Sequence, residues 1–189
     1  MPSRKKRIGI LTGGGDCPGL NAAIRAVVKT AILDYGMEVF GIKDGYIGLI
    51  ENIYSPLSYQ DVSGILTEGG TFLGASNKAN PFKYPTTKNR LKDVSGQVLR
   101  NAKKMGLDGL ICIGGDGTLS IAYSLYKKGL NLVGIPKTID KKGRSKIAAQ
   151  RKYPELNFVF GRCRSPHLGC VDATLIAGYG LSLIKGEIK

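Results

Sequence analysis

Acidic residues are scarce in this sequence. Its 189 residues hold 14 Asp+Glu against 28 Lys+Arg, a formal net charge of +14. No apolar run approaches the ~18 residues that a membrane helix needs, so an integral membrane protein is excluded on that count. There is no secretory leader pattern either. The basic start Met1–Arg7 is followed by Ile8-Gly9-Ile10-Leu11-Thr12 and then glycines, too short an apolar stretch for a signal peptide. Cysteine is limited to four residues, which read as reduced thiols and place the chain in the cytoplasm. No Ser/His/Asp constellation, internal repeat or low-complexity linker is visible. No RNA- or DNA-binding motif accompanies the positive charge, so no nucleic-acid partner is expected. What remains is a globular composition, 42% hydrophobic and 22% charged, long enough for one domain with a core of its own.

The charge is uneven. Residues 141–189 carry ten Lys+Arg against Glu155, Asp172 and Glu187, which is +7, and the first 140 residues carry the other +7. An anionic ligand such as phosphate suits this balance, and so does an ordinary solvated surface.

Apolar runs at Arg7–Thr12, Val39–Ile42, Gly109–Ile113 and Leu132–Ile135 read as buried strands. Between them, Asn21 is placed to cap a helix running to about Asp34 that Gly36 ends. Val62–Leu66 supplies about one helical turn. Leu91, Val94, Val98, Leu99 and Ala102 recur at helical spacing, predicting a helix over Lys88–Met105 closed by Gly106. A last helix is predicted from about Leu119 to Tyr126. Near-continuously apolar strands alternating with helices indicate a parallel sheet covered on both faces. The fold class is therefore α/β, a Rossmann-like three-layer sandwich with a mostly parallel sheet.

Ligands of such sheets sit beyond the carboxyl ends of the strands. Two of those ends, Thr12 and Ile113, lead into glycine-rich loops. Gly13–Gly19 is not a Walker A loop, since no Gly-Lys-Ser/Thr follows. It is not a dinucleotide fingerprint, since the third glycine would fall on Pro18. Gly114-Gly115-Asp116-Gly117-Thr118 is more informative. Its glycines let backbone N–H groups approach phosphate oxygens, and the Asp116 carboxylate can hold Mg²⁺. Alone it would serve equally as a tight turn with Asp116 as cap. Two such loops in one sheet favour a Mg-nucleotide or polyphosphate site. After the fourth strand, Lys137 can neutralise phosphate, Thr138 can position a substrate, and Asp140 can accept a proton from an attacking hydroxyl.

In order along residues 7–140, Gly9–Arg25, Asp44-Gly45-Tyr46-Ile47-Gly48-Leu49, Gly69-Gly70-Thr71-Phe72-Leu73-Gly74, Asn80-Pro81-Phe82, Ile113–Leu119 and Gly134–Asp140 together resemble the 6-phosphofructokinase family. The resemblance implies phosphoryl transfer to the 1-hydroxyl of fructose 6-phosphate. It implies that Gly15, Gly115, Asp116, Gly117 and Thr118 line the donor phosphates and that Asp116 binds Mg²⁺. Lys78 stands near a family position that contacts the nucleotide. Thr138, Ile139 and Asp140 form the substrate segment, with Asp140 as catalytic base. Pyrophosphate-using members tend to carry Asp where Gly117 stands, so Gly117 favours ATP, while Lys137 is common in pyrophosphate users. Arg25 lies where members bind effectors between subunits, and members form homo-oligomers.

The resemblance breaks after Asp140. The family continues Asn-Asp, whereas Lys141-Lys142 follow here, a cation in place of a carboxylate that assists Mg²⁺. The organisation expected is thus a nucleotide-binding domain over 1–140 and a basic tail over 141–189. The tail weakly resembles the family's late sugar-phosphate segment at Val159–Pro166, Asp172–Leu175 and Tyr179-Gly180, as an internal deletion near Asp140 would produce. A frameshift is the competing account. On either account, low activity is expected of this chain, and the homo-oligomer expectation is weakened. Cys163, His167 and Cys170 lack a fourth ligand for zinc and read as ordinary side chains of the tail.

Overall fold

The computed structural model describes residues 4–15, 19–86 and 90–136. Its centre is a five-stranded sheet. The strands are β1 (Arg7–Gly13), β2 (Glu38–Ile42), β3 (Tyr54–Leu57), β6 (Gly109–Gly114) and β7 (Leu132–Pro136), in spatial order β3-β2-β1-β6-β7. The pairs β1–β2, β1–β6 and β6–β7 are parallel, while β3 runs antiparallel to β2 along one edge. The sheet is therefore mostly parallel, as expected from its apolar strands, with one strand the sequence pattern did not announce.

Strand alternation divides the core in two. Ile8, Ile10, Ile111, Ile113, Val133 and Ile135 face α1 (Leu20–Leu33) and a 3₁₀ turn at Ile65–Thr67. Leu11, Leu110, Cys112 and Leu132 face the opposite way, onto α2 (Tyr46–Glu51), α3 (Ser95–Met105) and α4 (Asp116–Lys127). That is helix, sheet, helix: the three layers expected. A short hairpin, β4 (Tyr84–Pro85) with β5 (Leu91–Lys92), stands apart from the sheet. No helix among the described residues is long and apolar enough to cross a membrane.

Three local expectations need correction. Asn21 does not cap α1. The cap position is Gly19, in a left-handed conformation at φ 89°, and α1 begins one residue before Asn21. Asn21 is a buried member of the helix, and its amide bridges the neighbouring loop. Nδ2 donates to Glu68 O at 3.2 Å, and Oδ1 accepts from Phe72 N–H at 2.8 Å. The helix predicted over Lys88–Met105 starts only at Ser95. Leu91 lies in β5 and is 66% exposed, so its helical spacing was coincidental. Asp93 supplies the start signal, with Oδ1 accepting from Ser95 N–H at 2.8 Å. Finally, α4 begins at Asp116, about a turn before the predicted Leu119.

The Asn21 bridge yields a first expected result. Asn21→Ala leaves the Phe72 N–H and the Glu68 carbonyl without partners, and such orphaned groups cost about 1–3 kcal/mol. A urea midpoint lowered accordingly, with an unchanged slope, is the expected outcome. A midpoint equal to wild type would show that water satisfies both groups.

Candidate functional site

The order β3-β2-β1-β6-β7 reverses direction between β1 and β6, which is where an open α/β sheet leaves a crevice. The two glycine loops open there side by side, because Gly13 and Gly114 are partners in the ladder. Thr118 is wedged between them. A Cβ on Gly13 would stand 2.6 Å from Thr118 Oγ1. One on Gly114 would stand 2.6 Å from both Thr118 Oγ1 and the Gly13 carbonyl oxygen. Only glycine permits this closeness of two strand ends and a helix. Gly14 continues with φ 88°, a conformation that favours glycine.

A third wall comes from residues 76–80. Thr12 pins the segment before it, its Oγ1 donating to Gly74 O at 2.7 Å and lying 2.9 Å from Thr71 Oγ1. Leu73 O accepts from Asp44 N–H at 2.9 Å. Gly45 has φ 63°, and a Cβ there would meet Thr12 O at 2.8 Å. Its bare backbone thus brings Tyr46 to the back of the crevice, where the buried phenol donates to Thr118 O at 2.7 Å. The result is a cleft of about 490 Å³ bounded by Gly13–Gly15, Gly115, Gly117 and Thr118 on one side and Ser76, Asn77, Ala79 and Asn80 on the other. Tyr46, Ser120 and Ile121 complete it. That volume is of the size that holds a nucleotide-sized ligand.

None of the described lining residues is charged. Attraction for an anion therefore comes from loop N–H groups and the N-terminus of α4. The lining combines glycine backbone, hydroxyls and amides with the apolar bodies of Ala79, Ile121 and Tyr46. Backbone N–H groups suit phosphate oxygens and the apolar surfaces suit a flat ring.

The expected site residues fall into three groups. Gly15, Gly115, Gly117 and Thr118 line the cleft together. Gly15 and Gly117 face open space among the described residues, with nothing beyond their own chain neighbours and helix backbone within 4 Å of an added Cβ. Asp116 and Lys78 lie beside it: Asp116 is exposed at the first position of α4, and Lys78 is exposed between Asn77 and Ala79. Thr138, Ile139 and Asp140 lie outside the described residues, as do Lys137, residues 141–189 and the Cys163, His167 and Cys170 grouping. Among the described residues no three His, Cys, Asp or Glu side chains gather to hold a metal. Ser76, Asn77, Asn80, Ser120 and Ile121 were not legible as lining residues. Tyr46 sat in a quoted motif without a role.

Beneath the cleft, burial pushes the Cys112 thiol up to about 12 from its usual 9.0, offset in part by the neighbouring Tyr46 hydroxyl. Burial, with the adjacent Cys112, likewise raises the Tyr46 phenol well above its ordinary value. Both are neutral at physiological pH, and Cys112 is a buried packing residue of β6.

A family model described as Phosphofructokinase matches residues 7–142. ATP-dependent 6-phosphofructokinase 2 of Clostridium perfringens is 55% identical over 139 residues, covering 71% of this chain and 38% of that protein. A pyrophosphate–fructose 6-phosphate 1-phosphotransferase of Dictyoglomus thermophilum is 53% identical over 137 residues, covering 72% of this chain and 37% of its own. The Pichia pastoris phosphofructokinase crystal structure in the T-state aligns with a TM-score of 0.58 at 33% identity, covering 71% of this chain and 15% of that one. This chain thus spans under two fifths of the length of these relatives. With a family model matched over most of its residues and two glycine loops meeting at the sheet's switch point, this chain belongs to the phosphofructokinase family.

Proposed function

We propose that the cleft binds Mg-ATP as a phosphoryl donor, and that the chain carries the donor half of an ATP-dependent 6-phosphofructokinase. The supporting observation is the register of Gly13 with Gly114, which sets two glycine loops and the start of α4 around one cleft. In phosphoryl transfer the protein's main tasks are positioning and charge stabilisation, which such loops perform through fixed N–H groups. Gly117 supports a nucleotide: a side chain there would reach into the space a donor needs. Mg²⁺ takes one or two carboxylates and completes its shell with phosphate oxygens and water. The exposed Asp116 beside the loop fits that donor set, and among the described residues no cluster of carboxylates gathers to make a protein cage. When bound, the ion would neutralise charge on the transferred group. Lys78 would meet the nucleotide from the third wall.

The acceptor is fructose 6-phosphate, with Thr138 and Ile139 positioning it and Asp140 taking the proton from its 1-hydroxyl. The product is fructose 1,6-bisphosphate, as in glycolysis, and the compartment is the cytoplasm. The Lys141-Lys142 pair beside Asp140 and the short span against full-length relatives support low turnover by this chain alone. Pyrophosphate is the second reading for the donor, favoured by Lys137 and by the 53% identical pyrophosphate-using relative.

Calorimetric titration with Mg-ATP and Mg-pyrophosphate, alongside assays of fructose 6-phosphate phosphorylation with each, tests this. Saturable Mg-ATP binding with little or no turnover is expected. Binding of pyrophosphate in preference to ATP reassigns the donor, and binding of neither by a folded chain overturns the reading.

A further inference from the structure

The Asp44–Leu49 motif has so far only shaped the back of the cleft, yet one of its atoms reaches the donor loop. We propose that Tyr46 is a positioning residue for the donor, its hydroxyl fixing the first turn of α4 so that the Gly115–Thr118 amides face the phosphates. The inference rests on the cleft taking a phosphoryl donor.

Tyr46 is 1% exposed and starts α2, yet its hydroxyl hydrogen-bonds at 2.7 Å to a carbonyl 72 residues away. That carbonyl belongs to Thr118, whose side chain is the wedge between Gly13 and Gly114. Within α4 it already accepts from the N–H four residues on, so the helix does not need the phenol to satisfy its backbone. The extra bond instead ties the orientation of the turn to something outside the helix. Tyr46 in turn follows Gly45, whose backbone fits so closely that an added Cβ would stand 2.8 Å from Thr12 O and 3.7 Å from Ser76 N. The Gly45-Tyr46 pair therefore lies against the end of β1 and the third wall and ties them to the second glycine loop. Phenylalanine would fill the same buried volume, so the hydroxyl is there for the bond it makes.

A plain core anchor and a positioning hydroxyl differ in what they do to ligands. A core anchor affects all of them alike. A positioning hydroxyl affects those that use the α4 amides, and leaves a nucleoside without phosphates untouched. The test is Tyr46→Phe in the full 189-residue chain, titrated with Mg-ATP and with adenosine at millimolar concentration. Weakening of Mg-ATP by about fivefold to tenfold is expected, the scale of one hydrogen bond, with adenosine changed less than about twofold. Equal effects on both ligands, or none, overturn the inference. A wild-type chain that binds neither Mg-ATP nor Mg-pyrophosphate overturns the donor reading and this inference with it. A wild-type chain that binds Mg-ATP no better than the variant overturns this inference alone. If Tyr46→Phe does not fold, the buried Tyr46 hydroxyl proton of the wild-type chain, followed by NMR, decides. Its resonance is expected to shift with Mg-ATP and not with adenosine, and an unmoved resonance refutes the proposal.

Discussion

Gly114→Ala is expected to destabilise the chain by about 3 kcal/mol, the upper part of the range for forcing a methyl into a filled space, and to abolish donor binding. The new Cβ would lie 2.6 Å from the Gly13 carbonyl oxygen, 2.6 Å from Thr118 Oγ1 and 2.7 Å from Thr118 Cβ. Thr118 can turn away; the Gly13 carbonyl cannot, because it belongs to the strand paired with β6. Relief requires the two strand ends to part, and that moves both glycine loops. Gly117→Ala should do the opposite to stability. It sits in α4, and an added Cβ meets nothing within 4 Å. Alanine there should raise stability by about 0.5–1 kcal/mol, the ordinary helix preference over glycine, while weakening donor binding. Urea unfolding and Mg-ATP titration of both variants check the pair. A Gly114→Ala chain that unfolds at the wild-type midpoint and still binds donor would show that the strand ends yield easily.

Alkaline pH should unfold the chain through Cys112. A free thiol in the unfolded chain ionises near 9.0, whereas burial holds the folded one protonated to about 12. The folded state therefore binds the extra proton between those values, and stability falls as pH rises. The contribution is complete below about 9 and lost by about 12, at roughly 1.4 kcal/mol per unit. Across three units that is about 4 kcal/mol, a large share of the ~5–15 kcal/mol typical of a domain. Tyr46 adds to the slope above 10, being raised by the same burial. Urea midpoints measured from pH 8 to 11 should decline in the wild type and decline less in Cys112→Ala. Identical slopes in the two would place the alkaline loss elsewhere.

The parallel strands were legible because burial on both faces leaves continuous apolar runs such as Gly109–Ile113. Strand β3 was not: it lies at an edge, holds Pro56, and exposes Tyr54. Helix α2 was hidden by its six residues and by Gly45 and Gly48, which read as turn signals. Gly45 has a tertiary cause, fitted against Thr12 O, while Gly48 is held by the backbone of Lys43 and Ile53 beside the short helix. Leu91 shows the reverse failure, a side chain at helical spacing that the Asp93 turn keeps out of the helix. In the cleft, glycines announced themselves because few other roles explain a cluster at a strand end. Ser76, Asn77 and Asn80 did not, because tertiary hydrogen bonds from Thr12, Gly14 and Asp44 bring that segment to the site.

The pairing of β1 with β6 joins residues about a hundred positions apart, from Ile8 with Gly109 to Gly13 with Gly114. Contacts that distant in sequence form late and slow the search for the native state. On a ribosome, β1 and β2 can meet early, but the cleft has no second loop until residue 118 has emerged. Until then the β6-facing edge of β1, with its unpaired backbone groups, stays open to wrong partners. The central strand that gives the site its geometry is thus also the one that waits about a hundred residues for its second neighbour, and nascent chains halted before β6 should be the aggregation-prone ones.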